Sequence, residues 1–122
     1  MGSGGGNDVA STATENVVVA TLTPQRTPAD CSYITSPGRV VRALVTDLGL
    51  LEKQGDLATA ELVLTAVPAG QAPFADRIAA ARAACGWDLA VVSDVAELPL
   101  PTADEVGALR RWDPRGWFLR AR

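Results

Sequence analysis

At 122 residues the chain has room for one domain, and a hydrophobic fraction of 48% is enough for a core. A net charge of −3 argues against a free-standing nucleic-acid binder, and no apolar run approaches the roughly 20 residues that cross a bilayer. The absence of histidine removes Ser–His and Cys–His nucleophile pairs and the commonest transition-metal ligand, and two cysteines cannot close a zinc site. No cofactor and no metal are therefore expected. The usage is rich in Ala, Val, Leu and Arg, with Lys53 the single lysine, a skew that points to a GC-rich bacterial genome.

Residues 1–15 read as a flexible leader. Gly2 to Gly6 has the composition of a linker or expression scar and fails as a phosphate loop because no helix is predicted after it. Residues 16–22 (NVVVATL) are β-branched and uncharged, which predicts a buried strand in the middle of a parallel sheet. A long loop with Pro24, Pro28 and Pro37 follows. Over 39–53, Val40, Val41, Leu44, Val45, Leu48 and Leu51 recur at helical spacing and predict a helix, weakened by Gly49.

Residues 57–67 fit a strand, or a helix capped by Asp56. The strand is preferred because Pro68 and Gly70 end the segment sharply. The turn from Pro68 to Pro73 lacks the Lys and second Gly of a phosphate loop. Over 73–85, Phe74, Ile78, Ala81 and Cys85 form the inner stripe of a helix, with Gly86 in the place of a C-terminal glycine. Cys31 and Cys85 read as free thiols in a reducing cytosol, Cys85 as a small core residue.

Residues 87–92 predict another buried strand, and Pro99-Leu-Pro101 a rigid connector. Thr102-Ala-Asp-Glu105 is a capping box that opens a helix to about Trp112, with Val106, Leu109 and Trp112 inward. Residues 116–120 (GWFLR) predict a last short strand.

The order β-α-β-α-β-α-β implies a small three-layer, doubly wound α/β fold, with a mostly parallel four-stranded sheet (order 2-1-3-4) and three helices. Its switch-point crevice would lie at the ends of the first and third strands. Thr21, Thr23, Gln25 and Arg26 would meet Ser93 and Asp94 there, a set suited to a small polar or anionic ligand such as a nucleotide. At the C-terminus, Arg110, Arg111, Arg115, Arg120 and Arg122 are interleaved with Trp112, Trp117 and Phe118. That face suits a protein partner or self-association through Trp112, Arg115, Trp117 and Phe118, and less well a nucleic acid.

The layout also resembles the catalytic domain of serine recombinases, the resolvase and invertase family. The resemblance is carried by Gln25-Arg26 after the first strand, by residues 73–98 with the turn D-V-A-E-L, and by the terminal D-E-V-G-A-L-R-R-W-D-P-R-G-W-F-L. It implies a degenerate relative, because no serine stands in Ala20-Thr21-Leu22-Thr23 and Glu97 occupies the place of that family's turn arginine. The function then expected is a non-enzymatic regulatory or interaction domain of the cytoplasm with a face suited to homodimer formation, and a ligand-binding domain or a nucleic-acid accessory factor are the alternatives.

Overall fold

The computed structural model describes residues 4–36 and 38–117. Among them the chain forms three helices and a five-stranded mixed sheet. In chain order these are α1 (Gly4–Thr12), β1 (Asn16–Val19), β2 (Val41–Val45), β3 (Leu50–Lys53), β4 (Leu62–Pro68), α2 (Phe74–Ala84), β5 (Val91–Leu98) and α3 (Ala103–Trp112). The spatial order of the strands is the order of the chain, β1-β2-β3-β4-β5. β1 pairs parallel with β2, β3 is antiparallel to both its neighbours, and β4 pairs parallel with β5. Four strands therefore share one direction, and β3 alone opposes them.

This corrects the expected sheet of four strands in the order 2-1-3-4, and the cause lies in residues 39–53. The expected helix is a β-hairpin. Val41 and Val45 are β-branched and favour extended backbone. Thr46 then closes a tight turn: its backbone N–H donates to the Gly49 carbonyl at 2.9 Å, and its hydroxyl accepts from the backbone N–H of Leu48 and Gly49 at 3.2 and 2.9 Å. Gly49 is required by close approach, since a Cβ there would lie 2.6 Å from Leu64 Cδ1 and 2.9 Å from the Ala66 carbonyl oxygen. The leucines that mimic a helical stripe serve the pleat instead. Leu44 stands opposite Leu51 and Leu51 opposite Leu64, so the three line one face of the sheet.

That face carries the core. Leu44, Leu51, Leu64 and Val67 pack with Leu22, Leu89 and the Ala81–Cys85 side of α2, and Leu51, Leu64, Val67 and Ala81 are fully buried. α2 matches its expected span to within a residue. Gly86 does not end it through a left-handed turn. Instead the Gly86 N–H donates to the Thr27 carbonyl at 2.9 Å, and a Cβ at Gly86 would stand 2.2 Å from that oxygen. The glycine lets the loop after β1 lie against the end of α2.

Other expectations change more. The segment read as a leader contains α1. β1 is an edge strand rather than a buried central one. β5 begins at Val91 and runs on to Leu98, so residues 87–90 lie before it. The capping box of α3 is formed as expected: Glu105 N–H donates to the Thr102 hydroxyl, and Thr102 N–H donates to the Glu105 carboxylate at 2.8 Å. These bonds from the Thr102 backbone and side chain hold the Glu105 carboxyl below the usual carboxylate range. Leu109 and Trp112, expected inward on α3, are exposed. Gly116 and Trp117 are not in a strand; the rest of the expected terminal strand, Phe118 included, lies outside the described residues.

Candidate functional site

The four co-directional strands end on the same side of the molecule, and the clefts of interest lie there. The first has a volume of about 450 Å³ and is lined by Val19, Ala20, Thr21, Arg26, Val45, Thr46 and Asp47. A second, of about 330 Å³, is lined by Asp47, Leu48, Pro68, Ala69, Ala72, Asp76, Arg77 and Ala80. Asp47 belongs to both, so the two clefts meet across the tip of the β2–β3 hairpin.

Arg26 reaches the first cleft through a short turn. The Thr23 carbonyl accepts from the N–H of Arg26 at 3.0 Å and of Thr27 at 2.9 Å, and the Thr27 hydroxyl also donates to it at 2.8 Å. Thr27 is buried, and its carbonyl is the group held by Gly86. On the other side the Leu22 N–H donates to Asp47 Oδ1 at 2.8 Å. The loop after β1 is thus fixed at two points, with Arg26 exposed between them. A guanidinium placed this way can take the oxygens of a phosphate or carboxylate through two parallel N–H donors, with the Thr21 hydroxyl beside it, whereas the Thr46 hydroxyl is spent inside its own turn, donating to the Gly49 carbonyl at 2.7 Å. Asp47 already accepts a backbone bond and acts here to position the loop.

In the second cleft, Arg77 is mostly buried. Its guanidinium donates to the Pro68 carbonyl and to Glu97 and lies over the Phe74 ring, 5.4 Å from its centroid. Arg77 therefore clamps the end of β4 to β5 across the α2 crossover. Its Nε has no hydrogen-bond partner among the described residues.

Sequence reasoning brought together Thr21, Thr23, Arg26, Ser93 and Asp94. The structure places Thr21 and Arg26 in one cleft and gives Thr23 the task of holding their turn. Ser93 and Asp94 lie within β5, at the opposite edge of the sheet, exposed and away from Arg26. The residue that sequence reasoning missed is Asp47. Its signal was the T-D-L-G turn, which a helical reading hides. Of the expected partner face, Trp112, Arg115 and Trp117 are exposed, and Phe118 lies outside the described residues. Among the described residues no cluster of His, Cys, Asp or Glu could hold a metal ion, and no helix is long and apolar enough to cross a membrane.

No protein-family model matches the chain, and no curated protein does. A solved structure does. Over its whole length the chain is similar in fold to glutaconate coenzyme A-transferase from Acidaminococcus fermentans. The superposition has a TM-score of 0.77 with 24% sequence identity, and it covers 100% of this chain and 50% of that one. The chain thus spans about half the length of the transferase chain it matches.

This finding overturns the serine-recombinase resemblance and the regulatory domain inferred from it. The physical reason is the hairpin. A recombinase-like layout needs a helix between the first two strands, and here that stretch forms β2 and β3.

Proposed function

We propose that this chain is a coenzyme A-handling domain of the coenzyme A-transferase type, which holds the anionic part of an acyl-coenzyme A beside Arg26. What supports the reading is the fold likeness over the entire chain to a protein that transfers coenzyme A. The placement of Arg26 at the carboxyl ends of parallel strands, where open α/β sheets bind ligands, supports it further. Coenzyme A combines phosphates with a long, mostly apolar pantetheine arm. The cleft matches that mixture, with Arg26 and Thr21 beside Val19, Ala20 and Val45. The chain's contribution is to bind and orient, since Arg26 offers charge and Asp47 fixes the loop that carries it.

Thermal unfolding with and without ligand tests this. A ligand that binds only the folded state raises the melting temperature by mass action. Coenzyme A and acetyl-coenzyme A at millimolar concentration should raise it, pantetheine alone should raise it less, and Arg26→Ala should abolish the difference. An unchanged melting temperature at saturating coenzyme A, or a rise that Arg26→Ala leaves intact, rejects the reading.

A further inference from the structure

α3 is ten residues long and buries none of them, whereas α2 buries Ala81 in the core. Between α3 and the connector that leads into it runs a groove of about 750 Å³. Pro99, Leu100 and Pro101 of the connector line it with Ala108, Leu109 and Trp112 of the helix. Leu100 is 64% exposed, Leu109 51% and Trp112 89%. An open tryptophan beside two open leucines has the composition of an interface anchor.

The helix is also charged by halves. Asp104 and Glu105 stand in its first turn and Arg110 and Arg111 in its last, with Arg115 just beyond. This order suits the helix dipole. Among the described residues, however, Asp104, Arg110, Arg111 and Arg115 are exposed and enter no ion pair. Along the groove, Glu105, Ala108, Leu109 and Trp112 are spaced i, i+3, i+4, i+7 and so form one seam. That seam is its own complement when run backwards. A two-fold axis at the level of Ala108 and Leu109 sets these two against each other, small against large. It carries each Trp112 to the Glu105 end of the other seam, where Leu100 and Pro101 also line the groove. The acidic first turn of each helix then lies opposite the basic last turn of the other.

We propose that a second copy of this chain occupies the groove, its α3 antiparallel to the first, in a two-fold homodimer anchored by Trp112 against the 99–101 connector. Two observations single out this occupant. A two-fold interface needs a self-complementary surface, and here charge and side-chain size both reverse along the seam. Proline-rich extended segments also dock on aromatic side chains at little cost in entropy. Thr102 prolongs that extended run, with φ −68° and ψ 160°. One short helix and its connector cover an area at the low end for specific interfaces, so the dimer dissociates on dilution. Neither the Arg26 cleft nor coenzyme A takes part in this pairing.

Sedimentation equilibrium of the full chain between micromolar and millimolar concentration tests the pairing. The mean mass should rise from that of one chain to that of two and stop there. Trp112→Ala should weaken the dimer at least about tenfold and leave the melting temperature of the dilute chain unchanged. Charge reversal tests the orientation. Arg110→Glu with Arg111→Glu in one sample, and Asp104→Arg in another, should each weaken self-association. An equimolar mixture of the two should form a heterodimer tighter than either homodimer. Rescue on mixing cannot come from misfolded chains, so it separates a lost interface from a lost fold. The proposal is overturned by a chain that stays monomeric at millimolar concentration, by a mass that grows beyond two copies, or by a Trp112→Ala dimer of undiminished strength. Reversal variants that associate as tightly as the unaltered chain, or that show no rescue on mixing, overturn it equally.

Discussion

The interior of the sheet and its β1 edge are built on opposite terms. At β3 and β4 every strand has neighbours on both sides, one face is sealed by α2, and Leu51 and Leu64 are wholly buried. At β1 apolar residues of another type, valines, lie in the open on a strand that has one neighbour among the described residues. Composition does not separate these regions, and neither does β propensity. What differs is whether the chain itself supplies a cover. An apolar strand therefore reports a capacity for burial, and the surrounding topology decides whether the described chain supplies it.

That contrast is broken most directly by truncation. Leu64→Ala should cost about 2–5 kcal/mol of stability, as for fully buried leucines elsewhere. Val19→Ala in the isolated chain should stay within about 0.5 kcal/mol, as for an exposed position. Urea denaturation measures both, and similar losses would erase the distinction between the interior of the sheet and its β1 edge. Gly86→Ala comes next. It forces a methyl group onto the Thr27 carbonyl and should cost about 1–3 kcal/mol, the range for overpacked sites, while loosening the turn that carries Arg26.

Asp47→Ala should cost about 1–2 kcal/mol by leaving the Leu22 N–H without its acceptor, and Asp47→Asn should recover most of it. The same denaturation experiment reads the pair. Loss in both variants would show that charge, and not the bond, holds the loop.

The smallest effect is at α3. Because the folded state holds the Glu105 carboxyl below its ordinary range, the cap contributes at pH values above the unfolded carboxylate pKa. It is lost as pH falls through the lower folded value. Amide chemical shifts of Thr102 and Glu105 in an acid titration should follow that loss, and in Glu105→Gln they should stay flat.

Much of this fold was legible where one local rule acts alone. The T-A-D-E capping box appears as read, and Ala81 and Cys85 of the α2 stripe are buried, whereas Phe74 at its start is exposed. The failures fall where two rules compete. Val40, Val41, Leu44, Val45, Leu48 and Leu51 satisfy a helical period, but alternation across a hairpin accommodates Leu44 and Leu51 equally well. The deciding residues were Thr46 and Gly49, whose turn chemistry needs only four positions. Losing that turn also lost Asp47 from the site and put Ser93 and Asp94 into it, because the sheet order then changed. Arg26 and Thr21 line one cleft because their location depended only on where the first strand ends.

The reversed strand also bears on the order of events during folding. Pairing Leu44 with Leu51 joins residues seven apart, and pairing Leu51 with Leu64 joins residues thirteen apart, whereas Val18 must find Leu44 across 26 positions. Closing short loops costs less entropy and happens sooner. The β2–β3–β4 meander is thus the expected nucleus, and substitutions at Leu51 should slow folding while those at Val18 mainly leave its rate unchanged. Stopped-flow measurements that showed the reverse would place the nucleus at the parallel edge. On this account the chain can condense around its antiparallel hairpins first, with the parallel pairings of β1 and β5 settling later.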